Sequence, residues 1–371
     1  MSKKYDYLIV GTGLFGATVG YFLNRAGKKV LVIDKRDHIG GNIYTKNENG
    51  IDIHVYGAHI FHTTEKEVWD FVNKFDKFIP YNHTVDAYYK GEMYSLPFNM
   101  YTFEKVFHTD NPKRVQEIIE KERIESGIRD PKNLEEKAIS LVGKTIYEIL
   151  VKSYTEKQWG RKCSELPPFI ISRLPVRLTY DNRYFNDEFQ GMPKSGYTKI
   201  IENMLKGIEV KLNCDYLKDK DTFNSLADNI IYTGQIDALF DYKLGDLEYR
   251  SIRFENEWLN KSKFQPKAVI NYTDEENKFT RIIEHCHFLQ QYGNKTLISK
   301  EYSSSYERGG EPYYPVNNDK NNYLYNEYLK LAKNIPNLHL GGRLGLYKYL
   351  DMDDTIIEAF KLLDELQISR K

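Results

Sequence analysis

Three glycines near the amino end, Gly11, Gly13 and Gly16, stand in the spacing Gly-x-Gly-x-x-Gly, and Asp34 follows about 20 residues on. Each position has a physical use. The first glycine permits a tight turn, the second lets a pyrophosphate approach the backbone, and the third lets a helix pack closely on a strand. A helix beginning there offers free N–H groups and a positive dipole end to phosphate oxygens. A carboxylate at the end of the next strand is placed to grip a ribose hydroxyl. An ordinary glycine-rich turn would need no acid at that distance, so the pattern points to a dinucleotide.

The elements that must position these residues are legible around them. A strand at 7–10 enters the glycines, a helix runs on to about Ala26, and Gly27 is a natural stop. A second strand at 30–33 ends on Asp34, completing a βαβ unit. Residues from about 65 to 160 read mostly as helix. The clearest stretch is 135–159, where Ala138, Leu141, Val142, Ile149, Leu150 and Tyr154 recur at helical steps before Gly160. After Leu166-Pro167-Pro168 the pattern is irregular and arginine-rich as far as Tyr184, which predicts a mobile loop. Residues 242–316 are strand-rich, with segments at 267–272, 281–284 and 296–302. Helix returns at 322–333, and the tail runs strand 338–340, Gly341-Gly342-Arg343, then helix from about Asp354.

Composition limits the function. A chain of 371 residues should divide into two or three packed units. Its 53 basic and 53 acidic side chains cancel, so no long-range field draws nucleic acid or an anionic membrane. Any anion site must be local. Tyrosine is abundant, with 30 residues, and offers a stacking face with a hydroxyl donor, although most tyrosines in any chain serve packing. Cys163, Cys214 and Cys286 share no metal-type spacing, and His59 and His62 have no further ligand cluster, so no metal is expected. The apolar run at 7–10 is too short for a signal peptide or a membrane span, which predicts a cytoplasmic protein.

Further segments carry a resemblance. Gly40-Gly41-Asn42 after Asp34 resembles the second glycine pair of FAD-binding oxidases, and Gly341-Gly342-Arg343 through Asp353 resembles their closing cofactor contact. FAD is favoured over NAD on that ground. Tyr56-Gly57-Ala58-His59-Ile60-Phe61-His62-Thr63, Tyr154-Thr155-Glu156-Lys157-Gln158-Trp159, Arg173-Leu174-Pro175-Val176-Arg177, Tyr232-Thr233-Gly234, Glu311-Pro312-Tyr313-Tyr314-Pro315 and Gly342 through Asp353 resemble, in order, blocks of the UDP-galactopyranose mutase family. Ala58 departs from the proline of many members, with no evident loss of role.

The resemblance implies an α/β fold with three units. A discontinuous Rossmann-type FAD-binding domain takes 1–76, 191–241 and 317–371. A helical domain takes 96–169. A mostly antiparallel sheet domain with the mobile substrate loop takes 77–95, 170–190 and 242–316. It implies an isomerisation between six- and five-membered ring forms of a UDP-galactose-type sugar nucleotide, with reduced FAD as a covalent nucleophile at the anomeric carbon and no net oxidation. An external reductant, a homodimer and a place in cell-envelope polysaccharide synthesis are expected with it.

Residue by residue, Gly11, Gly13, Phe15, Gly16, Asp34, Lys35, Gly41, Asn42, His59, Ile60, Arg343, Tyr349, Asp351 and Met352 are expected at FAD. Arg173 and Arg281 are expected to hold the diphosphate, a role that suits the guanidinium fork. His62 is expected beside the flavin, and it inclines the sugar toward plain galactose over an N-acetyl form. Tyr154, Thr155 and Trp159 are assigned to the uridine side and the loop base. Tyr184, Tyr314 and Tyr349 are assigned to the phosphates as neutral donors. The plain alternatives are surface or cross-strand pairing for the arginines, core packing for the aromatics, and a structural role for the histidine. The rival activity is an FAD-dependent oxidase of the amine-oxidase type.

Overall fold

The computed structural model describes residues 3–172 and 174–370. The strand Tyr5–Val10 lies at the centre of a five-stranded parallel sheet, in the order Glu209–Lys211, Val30–Ile33, Tyr5–Val10, Ala227–Tyr232, Leu338–Leu340. Val30, Leu31, Val32 and Ile33 are all buried, because helices and loops cover both faces, as a parallel sheet requires. The helix Leu14–Arg25 packs against the sheet and against Met352–Glu365. Its end follows the sequence reading: Gly27 takes φ +75°, and the N–H groups of Gly27 and Lys28 close on the carbonyls of Asn24 and Leu23 at 3.0 Å.

A second sheet of seven strands runs Tyr314–Pro315, Tyr249–Leu259, Thr296–Ser305, Arg281–Glu284, Val269–Tyr272, Val85–Tyr89, Glu92–Leu96. Every neighbouring pair is antiparallel except Val269–Tyr272 with Val85–Tyr89. A small three-stranded antiparallel sheet is formed by Phe61–Thr63, Phe189–Pro193 and Phe78–Pro80, with Phe189–Pro193 in the middle. The helices Met100–Phe107, Pro112–Glu125 and Leu134–Ile146 start at Asn99, Asn111 and Asn133. Each asparagine side chain accepts a backbone N–H of the first turn.

Two expectations need correction. The stretch 65–160 is less helical than it reads, since Phe78–Pro80, Val85–Tyr89 and Glu92–Leu96 are strands. The expected helix at 135–159 is also broken. Gly143 takes φ +83°, and a π-helical turn follows at Tyr147–Val151 before Lys152–Trp159 resumes. The apolar spacing persists through the break, so periodicity alone passes over it. Space explains the glycine: a Cβ there would stand 2.5 Å from Glu122 Oε2, which accepts the Thr145 N–H at 3.0 Å. No helix among the described residues is long and apolar enough to cross a membrane.

Candidate active site

A cavity of about 270 Å³ opens where the parallel sheet meets the loops after its strands, and Gly11, Gly13, Gly16, Asp34, Gly41 and Asn42 line it. The glycines have separate spatial reasons. Gly11 takes φ +113°, and a Cβ on Gly16 would fall 2.1 Å from Gly11 O. Gly41, at φ +55°, approaches Gly13 so closely that a Cβ on it would lie 2.9 Å from Gly13 Cα. Gly13 itself caps the helix Leu14–Arg25, whose first turn carries no acid, so its free N–H groups face the cavity uncompensated. The Asp34 carboxylate is fixed at the rim. It accepts hydrogen bonds from Thr12 N at 2.8 Å, Thr12 Oγ1 at 2.6 Å and Arg36 N at 3.0 Å. A cradle built by glycines, a helix amino end and a held carboxylate suits a dinucleotide cofactor.

More distant sequence joins the lining at His59, Glu311, Tyr313, Arg343 and Met352, whereas Ile60, Tyr349 and Asp351 lie outside it. Phe15 is buried under Gly341, whose Cβ would sit 2.0 Å from the ring. Ile60 is buried, and Met352 lines the cavity at the head of its helix. Asp351 is the N-cap of that helix. His59 binds the Gly57 carbonyl through Nδ1 at 2.7 Å, and burial pushes its pKa down to about 4, so the ring is neutral at pH 7. Arg343 bonds the carbonyls of Tyr313 and Leu350 and lies 5.3 and 5.0 Å from the ring centres of Tyr314 and Tyr349. Those two rings stack at 5.5 Å. Lys35 pairs with Glu311 at 3.3 Å.

The stacked tyrosines lead to a second cluster centred on Arg281. Its Nη2 donates to Tyr154 Oη at 2.9 Å, and Nε lies 3.1 Å from Glu301 Oε1. Burial works against this charge. Glu301 and the phenols of Tyr154, Tyr314 and Tyr184 outweigh that, so the guanidinium is held more firmly protonated than usual. Tyr154, Thr155 and Trp159 share the helix Lys152–Trp159, with Thr155 buried. His62 donates through Nδ1 to Asp187 Oδ2 at 2.8 Å, and its ring stacks on Phe185 at 3.7 Å. Among the described residues of this region, three buried polar atoms have no hydrogen-bond partner: Trp159 Nε1, Asn271 Oδ1 and His83 Nδ1. Asn271 is the cross-strand partner of Arg281, and His83 packs against the rings of Tyr184 and Phe185. Unpaired buried polar groups are costly, and their convergence here suits a polar ligand.

Arg173 lies outside the described residues. The other arginines of its loop are taken up locally: Arg177 bonds the carbonyls of Asp181 and Arg183, and Arg183 pairs with Asp181 at 2.8 Å. The segment 174–188 has no helix or strand, yet it is tied to the helical unit by Arg177 N to Phe98 O at 2.9 Å and Tyr180 Oη to Glu104 at 2.7 Å.

Several residues escaped the sequence reading. Arg36 lines the cavity, lies 4.3 Å from the ring centre of Tyr56, and bonds Glu311 at 2.8 Å and Asn42 at 2.9 Å. Its place two residues past Asp34 was the available signal. Arg250 is buried and, among the described residues, pairs with no carboxylate, donating instead to Gln158 O, Ser303 and Ser305. Nothing local marks it, because its partners come from two remote segments, the helix end at Gln158 and the strand Thr296–Ser305.

Known proteins resemble this chain in sequence and in fold. Residues 149–349 match the family model described as UDP-galactopyranose mutase, and residues 9–75 match one described as an NAD(P)-binding Rossmann-like domain. The chain is 40% identical to the Klebsiella pneumoniae "Probable UDP-galactopyranose mutase", covering 98% of this chain and 95% of that one. The chain belongs to the UDP-galactopyranose mutase family. It is therefore an isomerase with a flavin-type cofactor domain, and the oxidase alternative draws no support from this membership. The Escherichia coli dTDP-fucopyranose mutase is 38% identical, covering 95% and 96%. A solved structure of reduced UDP-galactopyranose mutase superposes with a TM-score of 0.75 at 15% identity, covering 99% of this chain and 95% of that one.

Proposed function

We propose that this enzyme interconverts UDP-galactopyranose and UDP-galactofuranose with FAD in the cavity beside Gly13 and Asp34. The observation that carries the reading is the Arg281 cluster, a protonated guanidinium ringed by tyrosines and unpaired polar atoms, joined to the cofactor cavity through Tyr314, Tyr349 and Arg343. Reduced FAD, when bound, supplies the nucleophile for the anomeric carbon. The chain's own residues do the rest. Arg281, together with Arg173, neutralises the diphosphate as the anomeric C–O bond breaks, where negative charge grows most. Tyr184, Tyr314 and Tyr349 donate to phosphate oxygens without adding charge. Tyr154 and Trp159 hold the uridine. Neutral His59 leaves a ring nitrogen able to accept beside the cofactor, and Asp187 and Phe185 fix the plane of His62. The three-unit division set out above, an external reductant and a homodimer belong to the same proposal.

The test is to incubate chemically reduced holoprotein with UDP-galactofuranose and follow UDP-galactopyranose by chromatography, beside the oxidised protein. Conversion only after reduction, without reductant consumed per turnover, is expected. Equal activity when oxidised, or stoichiometric oxidation of the sugar, overturns the mechanism. The Escherichia coli relative is named for dTDP-fucopyranose, so that sugar nucleotide is assayed in parallel. Turnover of it alone overturns the substrate assignment.

A further inference from the structure

Lys157 has an environment that none of the roles above requires. Its Nζ lies 2.7 Å from Tyr272 O, 2.9 Å from Asp274 O, 2.8 Å from Asn277 O and 3.1 Å from Phe279 O. An ammonium has three N–H donors, so four converging carbonyls exceed what it can bond singly. They act instead as a ring of dipoles around a positive charge, the arrangement by which carbonyl oxygens replace the water of a bound monovalent cation. No carboxylate among the described residues forms an ion pair with Lys157. The nearest acid, Asp274, turns its side chain to Asn277 N at 3.0 Å and Asn277 Nδ2 at 2.9 Å. Burial pushes the lysine down to about 8, with Asp274 opposing and Lys278 adding to the shift.

Three of the carbonyls belong to the connection between the strands Val269–Tyr272 and Arg281–Glu284, and the fourth, Tyr272 O, ends the first strand. That connection delivers Arg281. Lys157 reaches it from the helix Lys152–Trp159, and Tyr154 stands one turn earlier on the same helix, on the same face. Tyr154 accepts the Arg281 hydrogen bond at 2.9 Å, and Ser153 Oγ donates to Asp274 O at 3.1 Å. The helix thus grips both the loop and the arginine the loop carries.

We propose that Lys157 is a positioning residue whose ammonium serves as a built-in monovalent cation, closing the 272–280 loop and so fixing Arg281 against Tyr154. The inference rests on the diphosphate role proposed for Arg281. Removing the charge should let the loop open and displace the guanidinium. A displacement of about 1 Å near reacting groups costs up to roughly a hundredfold in rate.

The experiment uses reduced holoenzyme at constant ionic strength in choline, potassium or ammonium chloride. In choline, Lys157→Ala should retain its flavin, bind UDP more weakly and lose about ten- to a hundredfold in kcat/KM. Ammonium or potassium, entering the emptied carbonyl ring, should restore much of this loss saturably. The wild type should not respond to the choice of cation. Lys157→Met should be equally slow and stay unrescued, because its side chain fills the ring without charge. Wild-type activity in Lys157→Ala, absence of rescue, or equal rescue of Lys157→Met overturns the proposal. Should Lys157→Ala fold poorly in choline, its refolding yield reads the same site: equal yields in all three salts overturn the proposal, and recovery only with ammonium or potassium supports it. A wild type that neither isomerises the substrate nor binds UDP refutes the proposed function instead, and cation-dependent melting of Lys157→Ala alone then still reports on the carbonyl ring.

Discussion

Two glycines of one motif should fail in different ways when each becomes alanine. Gly16 packs the helix Leu14–Arg25 onto the turn, and a Cβ there would lie 2.1 Å from Gly11 O and 3.1 Å from Ile9 Cγ2. Neither neighbour is a flexible side-chain end, so the helix must shift within a buried core, at a cost of about 3 kcal/mol or more. Gly13 differs. It has φ −66° and ψ 177°, open to any residue, and its nearest neighbour to a new Cβ is Gly41 Cα at 3.9 Å. The fold should lose less than about 1 kcal/mol there. The added methyl projects instead into the space a pyrophosphate would take. Pushing it off one or two helix N–H groups costs about 2–4 kcal/mol, a roughly thirty- to thousandfold weaker cofactor Kd. The assay is paired: flavin content by absorbance after extensive dialysis, and melting of the cofactor-free proteins. Gly13→Ala should be colourless and melt like the stripped wild type, and Gly16→Ala should melt several degrees lower even when stripped. If Gly13→Ala stays fully yellow, or melts as early as Gly16→Ala, the two glycines do not have separate roles.

Arg281→Ala should lower kcat/KM by about two to three orders of magnitude, the usual loss for one charge-stabilising donor. It should also destabilise the protein by about 3 kcal/mol, because Glu301 is left buried without its cation, and Arg281→Ala/Glu301→Gln should recover stability without activity. For Arg173→Ala the same fall of roughly two to four orders is expected with folding and flavin content unchanged, and near wild-type turnover would remove it from the diphosphate site. Burial pushes His83 and His285 down to about 3, whereas in the unfolded chain each titrates near 6.5. The unfolded state then binds more protons below pH 6.5, so the stability these rings contribute is complete above that pH and is lost toward pH 3. Denaturation midpoints should fall as pH drops from 7 to 5, by up to about 1.4 kcal/mol per pH unit for each ring, and His83→Asn should make the fall shallower. A midpoint independent of pH over that range would contradict the neutral buried state.

The sequence by itself determined the strand–turn–helix around the first glycines and the α/β class of the fold. Gly11, Gly13, Gly16 and Asp34 are neighbours along the chain, and their chemistry depends on a local strand–turn–helix whose spacing is fixed by backbone geometry. The same holds for Gly27 and Gly160, where a left-handed residue ends a helix. The family resemblance made Tyr154, Tyr314 and Arg281 candidates, the last from outside the quoted blocks, but not how they meet. Only the tertiary structure brought Arg281 to Tyr154, 127 positions away in the chain, and set Glu301 beneath it in the next strand. The break at Gly143 was hidden because it preserves the apolar spacing while answering to Glu122 on another helix. The carbonyl ring around Lys157 and the burial of Arg250 were equally invisible. Backbone carbonyls leave no signature in residue types, and a side chain's partners across a sheet are decided by strand order and register, which one-dimensional spacing does not encode.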